Sequence, residues 1–166
     1  MLELVCRRGV GPSGSDIHAS DDIDLSETVK VFLLTQVSGN QPLFINMRSN
    51  SRANNRYDFI DFIISCLQQG ALVAGDVLVL DNAPIHTSPD IIPVLLALMQ
   101  AAQVSVLFLP TYSPELNPCE LVFAQCKKYL RYHRRMQNPF WYEIVKGFAQ
   151  TTMAHMLQYY YKCIWL

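Results

Sequence analysis

Residues 77–86 read Val-Leu-Val-Leu-Asp-Asn-Ala-Pro-Ile-His. Four consecutive apolar residues, partly β-branched, run into turn-forming Asp, Asn and Pro, the pattern of a short strand covered on both faces. Such a strand belongs to a sheet flanked by helices. Asp81 falls at its carboxyl end. There it either turns the chain, since Asp and Asn bond readily to nearby backbone, or presents a carboxylate at the rim of the sheet.

The flanking segments complete an α/β pattern. Downstream, Ile91–Ala102 supplies an apolar helix, with Asp90 as its expected cap and Pro93 in the first turn, where a missing N–H costs nothing. Val104–Leu109 reads as another buried strand. Upstream, Tyr57–Gln68 has apolar residues at helical spacing (Phe59, Phe62, Cys66; Ile60, Ile63, Leu67) and stops at Gly70. Thr28–Val37 and Leu43–Met47 flank the turn Ser38-Gly39-Asn40 and read as a hairpin. Residues 11–27 are polar, Gly-rich and acidic, the composition of a flexible loop. The order β, β, α, β, α, β, α describes an α/β domain with a mixed sheet.

With 166 residues, 51% of them hydrophobic and 16% charged, the chain can bury the core of one domain. Ile91 to Met99, the longest apolar run, is broken by Pro93 and is far short of a bilayer span, and the first eight residues lack a signal-peptide layout. A soluble, intracellular protein is expected. Cys6, Cys66, Cys119, Cys126 and Cys163 contain no C-x-x-C spacing, so reduced thiols are the default. Cys119, Cys126 and His133 align on one helix face, but successive members stand about 10 Å apart along the axis, too far to share an ion. The last four residues, Cys163-Ile164-Trp165-Leu166, fit the prenylation pattern only formally, because Trp is a poor match and no polybasic stretch precedes them.

A net charge of −1 does not point to a nucleic-acid partner, but the distribution of charge says more than the sum. Lys127, Lys128, Arg131, Arg134 and Arg135 crowd a single segment, and a looser group appears at Arg48, Arg52 and Arg56. An ordinary solvated surface is the plainer account of both.

Between the last strand and that basic segment lies Leu-Pro-Thr-Tyr-Ser-Pro-Glu-Leu-Asn-Pro-Cys-Glu, residues 109–120. Its three prolines stiffen the connection. Asn117 suits a helix N-cap and Pro118 the first helical position, which puts Glu120 third. Asn-x-x-Glu is also a capping-box arrangement, so Glu120 has a purely structural alternative. At 100° per residue, however, Lys127, Arg131 and Arg134 project within roughly 40° of Glu120, while Val122, Cys126, Tyr129 and His133 centre on the opposite side. Capping does not account for three cations aligned beyond the acid. A metal-binding carboxylate followed by phosphate contacts does.

Residues 77–86 together with 109–120, at this separation, resemble the second and third acidic motifs of mariner-type DDE transposases. The order of elements over residues 28–160 also resembles that family's ribonuclease H-like domain. The resemblance implies a sheet in which three carboxylates hold two Mg²⁺ or Mn²⁺ ions about 4 Å apart for DNA phosphodiester cleavage and strand transfer. It implies Asp81 as the second acid and Glu120 as the third, both catalytic and metal-binding. Asn82, His86 and Asn117 would be supporting residues, with Tyr112, Ser113 and Asn117 shaping the approach to Glu120. Lys127, Lys128, Arg131, Arg134 and Arg135 would hold DNA.

The chain departs from the family at its start. The family's first acid lies on a central first strand followed by a basic, Gly-containing loop, and residues 6–14 resemble that loop. Asp16, Asp21, Asp22 and Asp24 sit in a polar stretch with no strand before them. The expectation is therefore a truncated domain with its central first strand largely missing, residues 2–6 serving as a partial substitute. Residues 1–27 would be a residual segment and flexible loop, and 28–166 the catalytic domain. Turnover would be abolished by the missing acid and the two-metal site impaired. The expected partner is DNA, with homodimer formation admitted and neither a membrane nor a small-molecule substrate. The expected location is the nucleus if the source is eukaryotic, otherwise the cytoplasm. The alternatives are a non-catalytic DNA-binding or protein-interaction module, and a ribonuclease H-like hydrolase unrelated to transposition.

Overall fold

A computed structural model describes residues 2–7, 29–37, 41–49, 55–133 and 138–164. The loop 11–27, the turn 38–40, Arg52, Arg134 and Arg135 lie outside the described residues. A five-stranded mixed sheet is built from β1 (Leu2–Arg7), β2 (Val29–Thr35), β3 (Leu43–Ser49), β4 (Val77–Leu80) and β5 (Ser105–Phe108), in the order β3-β2-β1-β4-β5. β1 pairs antiparallel with β2 and β2 with β3, whereas β1, β4 and β5 run parallel. Helices α1 (Arg56–Gln68), α2 (Pro84–Thr87), α3 (Ile92–Ala101), α4 (Pro118–His133), α5 (Phe140–Ala149) and α6 (Met153–Ile164) complete the fold.

Alternation along the strands creates two cores, because successive side chains point to opposite faces. Phe32, Leu34, Leu78 and Leu80 pack with Phe59, Phe62 and Ile63 of α1 and Leu95 and Met99 of α3. Val29, Val31, Leu33 and Val79 pack with Val122 and Cys126 of α4, Phe148 of α5 and Met156 of α6. Burial of β4 on both faces follows from the three-layer arrangement that its unbroken apolar run predicts.

The structure corrects several expectations. The central place is taken by β1, the segment expected as a partial substitute there, and it extends to Arg7, with Leu4 level with Thr35 on one side and Val79 on the other. An empty slot would leave two rows of backbone donors and acceptors unpaired, and six residues suffice to satisfy them. β5 is an edge strand with alternating exposure, not a buried one, and Leu107 is 51% exposed. Asp90 does not cap α3; its carboxylate pairs with Arg56 at 3.0 Å. Pro93 does lie in the first turn. His133 is exposed instead of facing the core, its ring stacked on Tyr129 at 4.7 Å.

Local signals explain the helix ends. Asn55 accepts from the N–H groups of Tyr57 and Asp58, and Asp58 returns a bond to the Asn55 N–H, a capping box at the start of α1. Gly70 ends that helix at φ 69°, a backbone state that costs glycine little.

Candidate active site at the carboxyl end of the sheet

Asp81 is the first residue beyond β4, and the chain turns immediately after it. Its Oδ1 accepts from the Ala83 N–H at 3.1 Å, the turn-forming contact that short acids provide. Pro84 opens α2, and this single turn carries His86 back beneath the acid. His86 Nδ1 lies 2.7 Å from Asp81 Oδ1 and 3.3 Å from the Asp81 carbonyl oxygen. An ionised Asp81 accepts, so the ring proton sits on Nδ1. The imidazole is fully buried, with its ring 4.4 Å from that of Phe59, while the Asp81 side chain is 30% exposed. His86 Nε2 is buried with no hydrogen-bond partner. The acid therefore faces solvent from a buried support.

Asn82 joins this corner to the next segment. Its Nδ2 donates to the Leu109 carbonyl, and the Leu109 N–H donates to the Leu80 carbonyl at 2.8 Å. The proline-rich connection thus leaves from a point fixed beside Asp81. It passes through a 3₁₀ turn at Pro114–Leu116 before α4 begins. Asn117, buried, accepts from the Cys119 N–H at 3.0 Å, the N-cap bond that its type and position predict. The Asn117 N–H donates to the Pro114 carbonyl at 3.1 Å, so the donor that a reciprocal capping box requires is already engaged. Glu120 is exposed in the first turn of α4.

The start of α4 is itself anchored. Cys119 Sγ lies 3.7 Å from Thr35 Oγ1, which is 3.1 Å from the Tyr160 hydroxyl. Tyr160 also donates to the Thr35 carbonyl at 2.9 Å. Thr35 is level with Leu4, and Leu4 with Val79, so α4 begins at the height of Val79, two residues before Asp81. The first turn of α4, which carries Glu120, is thus tied to the sheet through Thr35, and Asp81 follows two residues beyond the level of that contact. The sequence carried no sign of this anchor, because a lone strand Thr and one Tyr in a Tyr-rich helix have no diagnostic spacing.

Further along α4, Lys127, Lys128 and Arg131 are exposed, and Cys119, Val122, Phe123, Cys126 and Leu130 form the buried side. Arg134 and Arg135 fall outside the described residues. On β1 the pairing with β4 ends at Val5, level with Leu80. Glu3, the acid of that strand, is level with Leu78. Among the described residues, no group of three or more His, Cys, Asp or Glu is placed to hold a metal ion. The described side chains therefore fall short of the donor set of a two-ion centre, which needs bridging oxygens from several ligands.

The sequence signature of the family described as DDE superfamily endonuclease matches residues 3–139. No curated protein matches the chain. Among solved structures, the catalytic domain of Mos1 mariner transposase is similar with a TM-score of 0.65 at 13% identity, over 98% of this chain and 76% of that one. The Mos1 transposase paired-end complex with left transposon end gives a TM-score of 0.67 at 15% identity, over 98% of this chain and 52% of that one. A simian T-cell lymphotropic virus intasome in complex with PP2A regulatory subunit B56 gamma gives 0.53 at 6% identity, over 89% and 46%. The Mos1 catalytic domain is also known with Raltegravir and either Mn or Mg. At these identities the likeness speaks for the fold. Because the family signature runs through most of the chain and the fold is that of its solved relatives, the chain belongs to the DDE superfamily endonucleases, with the fold of a mariner transposase catalytic domain.

Proposed function

We propose that the chain is a transposase-derived DDE domain whose reaction class is metal-dependent DNA phosphodiester cleavage and strand transfer, with turnover lost. One observation carries the reading: the two motifs that resemble the family's each present a carboxylate on a fixed support, Asp81 braced by His86 after β4 and Glu120 at a capped helix start. In this reading Asp81 and Glu120 are the second and third acids and bind Mg²⁺ or Mn²⁺. Asn82, His86 and Asn117 position them. Loss of turnover is supported by β1, whose one acid, Glu3, is level with Leu78, three residues before Asp81. No helix among the described residues is long and apolar enough to cross a membrane, and a DNA-acting protein of a eukaryote would work in the nucleus.

The test is supercoiled-plasmid nicking with Mg²⁺ or Mn²⁺. The expected result is none above background. Robust nicking that vanishes in both Asp81→Ala and Glu120→Ala would show that the missing acid comes from elsewhere and would overturn the loss of turnover.

A second reading, a DNA-binding module without catalysis, is favoured by the exposed Lys127, Lys128 and Arg131. Duplex affinity should fall with salt, and replacing these three by Gln should flatten the plot of log affinity against log salt by about one unit for each phosphate no longer neutralised. Salt-independent binding would remove this reading.

A further inference from the structure

The two edges of the sheet are unlike. β3 contains Arg48, a charge of the kind that keeps an edge strand from pairing with another chain. β5, Ser-Val-Leu-Phe, holds neither a charge nor a proline, and among the described residues no strand pairs beyond it. From Ile91 to Pro114 the chain contains no charged residue at all. The neutral stretch includes α3, which lies in contact with β5 and exposes Val94 by 49% and Leu96 by 46%. In the strand itself Leu107 is 51% exposed.

The hydrogen bonds of β5 fix what its open side offers. The Ser105 N–H donates to the Asp76 carbonyl at 2.9 Å and the Leu109 N–H to the Leu80 carbonyl at 2.8 Å, both toward the β4 side. Backbone groups alternate in direction along a strand, so those of Leu107 also turn to β4, and the N–H and C=O of Val106 and Phe108 turn to the open edge. The side chains alternate too: Val106 and Phe108 pack against the core that contains Leu95 and Met99 of α3, and Leu107 stands on the other face. An antiparallel strand centred on Leu107 meets every one of these groups. If that strand is a second β5, Val106 of each copy faces Phe108 of the other and exchanges N–H···O=C bonds with it, while the two Leu107 side chains meet on one face at the two-fold axis, their Cα atoms about 4.5 Å apart.

We propose that the β5 edge joins two copies of this chain into a dimer with one continuous sheet. The edge is self-complementary in hydrogen bonding and apolar contact, and its lack of charge leaves no like-charge repulsion between copies and no counter-charge for a charged partner. A strand of four residues buries less than the about 1,600 Å² of a standard interface, so the dimer is a weak one that forms in the micromolar range. The two β4 strands run in opposite directions within it, which sends the two Asp81 rims to opposite ends of the joined sheet. The inference stands apart from the DNA reading, and its test contains no DNA.

Sedimentation of the whole chain across a concentration series should show a shift from one chain mass to two. Leu107→Lys places like charges opposite each other at the axis and should raise the dissociation constant by about tenfold or more, with the urea midpoint of the monomer unchanged because the side chain is already half in water. Leu107→Cys gives a second readout: the opposed thiols stand within disulfide range and should cross-link 107 to 107 under mild oxidation, identified by peptide mass spectrometry. Leu157→Cys, 55% exposed on α6, should not cross-link. A parent chain that stays monomeric throughout the series overturns the proposal, even if the edge accepts an unrelated peptide. So does a dimer that survives Leu107→Lys unweakened, or one in which Leu107→Cys does not cross-link.

Discussion

His86 shows how a single side chain sets the acid at the rim. It is fully buried against Phe59, with Nδ1 on Asp81 and Nε2 lacking a partner, so the ring has one productive hydrogen-bonding direction. Burial of a polar atom without a bond disfavours the site, and the short bond to Asp81 offsets part of that cost. His86→Ala removes the ring from a packed position and should lower stability by about 2–4 kcal/mol, read from the urea midpoint. Asp81→Ala keeps the packing but takes the carboxylate from a buried N–H, and a smaller loss of about 1–3 kcal/mol is expected. An Asp81→Ala variant as stable as the parent would show that the carboxylate is not what holds His86.

Between elements, the decisive contacts lie where helices cross. α5 approaches α4 at Gly147, where an added Cβ would come within 2.7 Å of Cys126 Sγ and 3.3 Å of the Tyr129 ring. Gly147→Ala would gain helix propensity but overpack this crossing. A net loss of about 1–2 kcal/mol is expected by chemical denaturation, and any stabilisation would mean that the crossing yields. The four free thiols described, Cys66, Cys119, Cys126 and Cys163, are all buried. Burial also pushes the Cys163 thiol above its ordinary pKa, against a smaller lowering by Lys162, so at neutral pH it is protonated as well as shielded. Alkylation followed by peptide mass spectrometry should find these four unmodified in the native protein and modified in denaturant. This burial also weighs against Cys163 as a lipid attachment point.

For the molecule as a whole, the sheet carries the site on one rim and a helical layer on each face. The second helical layer reaches beyond the family match at residue 139, since Tyr160 of α6 bonds Thr35 and so helps to fix where α4 begins. Lys127, Lys128 and Arg131 follow Glu120 along one helix, a local run of exposed cations although the chain has a net charge of −1. The weaker salt dependence expected on neutralising them belongs to this scale, because it reads the summed field and not one contact.

The sequence alone determined what repeats or punctuates locally. The apolar run before Asp81, the helical spacing of residues 57–68, Asn117 followed by Pro118, and the two acidic motifs were all readable, because period, cap and turn chemistry act within a few residues. What depends on partners distant in the chain was decided only by the tertiary structure. β1 filled the centre because two neighbouring strands needed its backbone groups, and β5 became an edge because, among the described residues, no strand pairs beyond it in the sheet. Asp90 met Arg56 across 34 residues instead of capping its own helix, and Thr35 met Cys119 and Tyr160 across 84 and 125. Such pairings follow from packing the whole chain, and no local pattern encodes them.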